Sequence, residues 1–178
     1  MLTKARIKNF KARRDSGDIR LAPLTVIFGG NSAGKSSLGH LLLALKQTAL
    51  LSDRKRALHV GDPTSLIDLG TFQDCLYGHD INRKMEFALQ WRTNLPLSVV
   101  NSLDPKEKYK GKEIALNVTF KAGKADQPEV ERLGYSLIDG DATSLQIEHT
   151  HQDSKVALKA KPLNLVKVTG RVWPLDDG

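Results

Sequence analysis

Residues 29–36 read Gly-Gly-Asn-Ser-Ala-Gly-Lys-Ser, which fits the spacing G-x-x-x-x-G-K-[ST]. Its flanks fit it as well. Leu24-Thr25-Val26-Ile27-Phe28 is a short apolar run rich in β-branched residues, as expected of a strand buried on both faces. After the motif, Leu38, Leu41, Leu42, Leu45 and Ala49 fall on one face of a helix predicted over 35–51. A strand, a glycine-rich turn and a helix in this order form a phosphate cradle. Gly29 lets the chain turn off the strand, and Gly34 brings the backbone close to an anion without a side chain in the way. The N–H groups from about Asn31 to Ser36 then converge at the positive end of the helix. Lys35 would reach β- and γ-phosphate oxygens, and the Ser36 hydroxyl would ligate Mg²⁺. The expected ligand is Mg·ATP. Its candidate binding residues are Gly29, Asn31, Ser32, Ala33, Gly34, Lys35, Ser36 and Ser37, with Lys35 as the catalytic candidate and Ser36 as the metal ligand.

The 178 residues are enough for one hydrophobic core, and 40% apolar and 26% charged residues describe a folded globular chain. The longest apolar stretches, such as Leu41–Leu45, fall far short of the roughly 20 residues that cross a bilayer. The first residues, Met1-Leu2-Thr3-Lys4-Ala5-Arg6, lack the apolar centre of a secretory signal. A single cysteine, Cys75, permits no internal disulfide, and a cytoplasmic location is expected. Of the net charge of +7, six basic side chains (Lys4, Arg6, Lys8, Lys11, Arg13, Arg14) fall within residues 1–14 with no acid among them. Such a cluster meets nucleic acid, nucleotide phosphates or only water.

Period-two alternation from Ala5 to Lys8, the turn Asp15-Ser16-Gly17-Asp18, and Ile19 with Leu21 predict an opening hairpin. Residues 59–80, with Gly61, Pro63, Gly70 and Gly78, read as loop with at most a short helix over Phe72–Leu76. From Met85 the chain reads as an antiparallel meander. Its predicted strands are Met85–Trp91, Glu113–Lys121, Arg132–Ile138, Ser144–His149, Lys155–Ala160 and Leu165–Trp173, with Asn101–Lys112 as a mobile loop.

Ile7-Lys8-Asn9-Phe10-Lys11, together with Leu21 through Leu38, resembles the start of the ABC-type ATPase heads of SMC, RecF and OLD-like proteins. Leu42–Thr48 and Leu66-Ile67-Asp68-Leu69-Gly70-Thr71-Phe72-Gln73-Asp74 are most similar to bacterial AAA-type ATPases of OLD-like and anti-phage defence systems. The resemblance spans roughly the first 80 residues. It implies an α/β P-loop NTPase fold, the first lobe of an ABC-type head occupying 1–178. In it a mixed sheet surrounds the P-loop helix (1–80) beside an antiparallel β-rich part (81–178). It also implies that Lys11 approaches the nucleotide phosphates, and that Arg54 or Arg56 lies where some heads place an arginine near the γ-phosphate. Each of these three also reads as an ordinary solvated side chain. The implied partners are a second head in a homodimer or higher assembly, an effector such as a nuclease subunit, and DNA, with no membrane.

Two further signatures of such heads are missing: an apolar strand ending in Asp-Glu and a Ser-Gly-Gly motif. Leu137-Ile138-Asp139-Gly140-Asp141 reads as a hairpin turn instead. The chain stops at Asp176-Asp177-Gly178, before a second lobe would begin, so the expectation is the N-terminal half of a larger ATPase, binding Mg·ATP weakly and hydrolysing it poorly. Two alternatives stand beside it: a non-hydrolysing, nucleotide-dependent assembly module, and a DNA-binding module using the basic N-terminal strand. Gln73 reads as a loop residue, His149 and His151 as strand positions rather than metal ligands, and Cys75 as a buried thiol.

Overall fold

The computed structural model describes residues 1–31, 33–52, 56–152 and 155–165. Among these residues eight strands form one sheet: β1 (Leu2–Phe10), β2 (Arg13–Asp15), β3 (Ile19–Arg20), β4 (Met85–Val100), β5 (Lys108–Ala122), β6 (Pro128–Asp139), β7 (Ala142–Gln152) and β8 (Lys155–Lys161). Their order is β2-β1-β4-β5-β6-β7-β8, with β3 also on β1, and all of these pairings are antiparallel. Two α-helices, α1 (Ser37–Leu50) and α2 (Phe72–Cys75), lie in the long connection between β3 and β4.

Alternation along the strands fixes which face is covered. Ala5 and Ile7 of β1 and Met85, Phe87 and Leu89 of β4 are buried, whereas Lys4, Arg6 and Lys8 point the other way. The register places Ile7 opposite Phe87, Phe87 opposite Val118, and Val118 opposite Leu133, an apolar row across four strands. Leu38, Leu41 and Ala44 of α1, with Leu58, Leu69, Phe72, Cys75 and Leu76, close over the β1–β4–β5 end of that face. Each fully buried aliphatic or aromatic side chain there stabilises the fold by roughly 1.5–3 kcal/mol.

This architecture corrects the expected fold. Of the described residues 47% are strand and 15% helix, a mainly antiparallel β-sheet rather than an α/β P-loop NTPase with a mixed sheet around the P-loop helix. The correction centres on Leu24–Phe28, which forms no strand: Leu24 is 81%, Val26 61% and Phe28 87% exposed. The local cause is visible just before it. Leu21 N–H makes a last bond to the Thr3 carbonyl (2.8 Å), and Pro23 then removes a donor. The Ala22 amide donates to Thr25 Oγ1 (3.0 Å), closing a tight turn that leads the chain off the sheet. Beyond it, no described strand lies beside Leu24–Phe28 to pair its backbone.

The remaining elements follow the sequence more closely. The opening hairpin, α1, the short α2 and the turn at Asp139–Ala142 are present. Strands β4 and β5 run further than predicted, to Val100 and from Lys108, so Lys108–Lys112 is strand rather than loop. The connecting tip is closed by Asn101 N–H on the Glu107 carbonyl (3.0 Å). The predicted strand Leu165–Trp173 lies, apart from Leu165, outside the described residues. Among the described residues no helix is long and apolar enough to cross a membrane.

Candidate functional site

The glycine-rich loop runs into α1 on the flank of the sheet, against the β1–β2 turn. Gly34 adopts a left-handed backbone (φ +75°), and a Cβ there would stand 3.0 Å from Arg13 Nε and 3.3 Å from Ala12 Cβ. The loop holds itself by Ala33 N–H on the Gly30 carbonyl (3.3 Å) and Ser37 N–H on the Gly34 carbonyl (3.2 Å). Among the described residues, the amides of Gly34, Lys35 and Ser36 have no protein acceptor. Ser36 is the N-cap of α1, yet its hydroxyl makes no capping bond, and the first turn contains no acid. The positive end of a 14-residue helix therefore has no side-chain cap and no acid of its own first turn against it.

Lys35 lies folded over the loop, donating from Nζ to the carbonyls of Gly29 (2.8 Å) and Gly30 (2.6 Å). Beside it a cavity of about 540 Å³ is lined by Lys11, Ala12, Gly34, Lys35, Ser36, Ser37, His40, Ile67, Asp68 and Leu69. The fold thus brings Lys11, Gly34, Lys35, Ser36 and Ser37 together. Gly29, Asn31 and Ala33 belong to the exposed loop but do not line the cavity, and Ser32 lies outside the described residues. Lys11 takes a left-handed backbone (φ +51°), its N–H bonded to the Cys75 carbonyl (2.7 Å) and its Nζ to the Leu69 carbonyl (2.9 Å).

The far wall, Ile67–Leu69, was not marked by the sequence as part of the site. It is fixed by buried Gln47 of α1, whose Nε2 donates to the His59 carbonyl (2.7 Å) and whose Oε1 accepts from Ile67 N–H (3.1 Å). Leu69 N–H bonds the Val60 carbonyl (2.8 Å), closing the loop onto Gly61.

The other candidates are engaged elsewhere. Arg56 Nη1 donates to Nδ1 of buried His59 (2.9 Å), which sets that ring's other nitrogen as the donor toward Ser65 Oγ (2.8 Å). With its lone pair occupied, His59 is no general base for Ser65. Arg54 lies outside the described residues. Gln73 Nε2 donates to the His79 carbonyl (2.9 Å). Cys75 is buried, and desolvation pushes its thiol up to about 11, against a smaller downward pull from Lys11. His149 and His151 are half-buried neighbours, and desolvation first, then His151, lowers the pKa of His149.

On the outer sheet face, Lys4 pairs with Asp18 (3.5 Å), Arg6 with Asp15 (2.7 Å) and Lys8 with Glu86 (3.3 Å). The Arg6 guanidinium, bonded to Asp15, holds that carboxyl down at about 2. These pairs reduce the charge that the strand offers to a phosphate backbone.

Among the described residues no group of three or more His, Cys, Asp or Glu is arranged for a metal. Mg²⁺ does not need one: it binds through one or two protein oxygens, substrate phosphates and water, which fits a Ser36 hydroxyl that makes no capping bond among the described residues. No known protein-family model matches the chain, and no curated protein matches it in sequence.

Proposed function

We propose that this chain binds Mg·ATP through the loop from Gly29 to Ser36, as the ATP-binding part of a larger SMC/OLD-like ATPase whose sheet departs from the α/β arrangement expected from the sequence. One observation supports the reading above the others: Lys35, the Ser36 hydroxyl, Lys11 and an uncapped helix terminus meet at one cavity of about 540 Å³. The amides of Gly34, Lys35 and Ser36 would take the β-phosphate, stabilised by the α1 dipole. Lys35 would exchange its two carbonyl partners for β- and γ-phosphate oxygens, a stronger, charge-assisted pairing. Ser36 would ligate Mg²⁺, and Lys11, which lines the same cavity, would add charge.

The full activity in this reading is ATP hydrolysis coupled to a DNA-directed or anti-phage defence effector, in the cytoplasm, with heads assembling as dimers. The exposed run Leu24–Phe28 supports a further polypeptide covering this flank, since apolar patches of this kind mark interaction surfaces. The chain by itself is expected to bind nucleotide with little turnover, because among the described residues no glutamate lines the cavity as a base for the attacking water.

Titration with a fluorescent ATP analogue tests the reading. A charge-assisted hydrogen bond is worth roughly 1.5–3 kcal/mol, so Lys35→Ala is expected to weaken binding about tenfold to a hundredfold. Equal affinities for variant and parent would contradict the proposal.

A further inference from the structure

We propose that Asp68, which lines the same cavity as Ser36, holds the divalent cation of the bound nucleotide; this rests on the nucleotide reading above. Among the described residues Asp68 is the one carboxylate lining a cavity whose other charged groups are Lys11 and Lys35. Among the described residues it forms no ion pair with either lysine. Lys11 turns to the Leu69 carbonyl and Lys35 to Gly29 and Gly30, although a carboxylate borders the same space. Asp68 Oδ1 accepts from the Gly70 amide (2.9 Å), and among the described residues Oδ2 accepts no hydrogen bond.

The position of this carboxylate is set from both sides. Ile67 N–H is fixed by Gln47 and Leu69 N–H by Val60, while the Leu69 carbonyl accepts from Lys11. Behind it Gly61 lies so close that a Cβ there would stand 2.5 Å from Asp68 Cα. A carboxylate held beside a triphosphate repels it unless a cation stands between the two. Mg²⁺ supplies that cation, since it takes one or two carboxylate or hydroxyl oxygens, phosphate oxygens and several waters. The residues it needs are Ser36 on the helix side and Asp68 on the loop side, one contacting the ion directly or each through its waters.

The test is ATP-analogue binding by the full chain, measured at constant ionic strength in Mg²⁺ and in EDTA. Asp68→Asn keeps an oxygen for the Gly70 amide, and Asp68→Ser keeps an acceptor there with a shorter side chain; a thermal melt without nucleotide checks that each folds. The parent is expected to bind more tightly in Mg²⁺ than in EDTA. Both variants are expected to lose that Mg²⁺ enhancement, by roughly 10- to 100-fold as for other residues that support a bound metal, with affinity in EDTA equal to or above the parent's. An enhancement retained in a folded variant would overturn the role of Asp68 while leaving the loop's nucleotide binding intact. Loss of affinity in EDTA as well would show a merely structural role and overturn it too. Parent binding that is absent, or unaffected by Lys35→Ala in EDTA, would overturn the nucleotide reading and this inference with it.

Discussion

A Cβ added at Gly61 would lie 2.3 Å from the Ile67 carbonyl oxygen and 2.5 Å from Asp68 Cα, on a backbone at φ +125° that side chains rarely adopt. That residue therefore fixes how closely the far wall of the cavity approaches its own base. Gly61→Ala is expected to lower stability by at least about 1–3 kcal/mol, the range for a residue forced into a sparsely populated backbone region. In urea the midpoint should fall with the slope unchanged, and a midpoint equal to the parent's would show that the loop relaxes freely around the new methyl. Residues of the near wall were readable in advance because the motif fixes them in one short run: Gly34, Lys35 and Ser36 have defined roles at fixed spacing. Asp68 was not readable in this way. It stands in a turn-rich stretch without periodicity, and it joins the site because its neighbours are tied down, Ile67 N–H donating to Gln47 and the Leu69 carbonyl accepting from Lys11, which no local pattern encodes.

At the scale of elements, alternation sufficed where a strand keeps one face covered and one face wet. Strands β1, β4 and β5 show this clearly, with Ala5, Ile7, Met85, Phe87, Val118 and Phe120 buried. Leu24–Phe28 failed by the same logic: a continuous apolar run states that both faces want cover, but not what covers them. Strandedness belongs to a pair of segments, and the turn at Ala22–Thr25 takes this one away from β1. The extensions of β4 and β5 were missed for a related reason. Thr93-Asn94-Leu95-Pro96 resembles a strand end, yet the chain bulges there and re-pairs at Leu97 opposite Gly111. The exposure of the apolar run can be checked with Phe28→Ser. At 87% exposure the change is expected to move the unfolding free energy by less than about 0.5 kcal/mol. A loss near 3–5 kcal/mol, typical of truncating a core aromatic, would show that Phe28 is buried after all.

For the molecule as a whole, one sheet supports a site at its flank. The β1–β2 turn, the start of α1 and the loop closed by Val60 and Leu69 converge there, each tied to the core by a buried neighbour: Phe10, Leu38 and Leu58. The motif at residues 29–36 suggested a chemistry for the loop, while the large antiparallel sheet around it came from pairings between distant segments. What the molecule does depends on whether an anion sits against the amides at the start of α1. Backbone ¹⁵N–¹H spectra recorded during addition of ATP, and separately of inorganic triphosphate, read this directly. The expected result is that the largest, saturable shifts fall on Gly34, Lys35, Ser36 and Ser37 with both ligands, and disappear in Lys35→Ala. Shifts confined to Lys4, Arg6 and Lys8 on the outer sheet face, or none at the loop at saturating ligand, would contradict it.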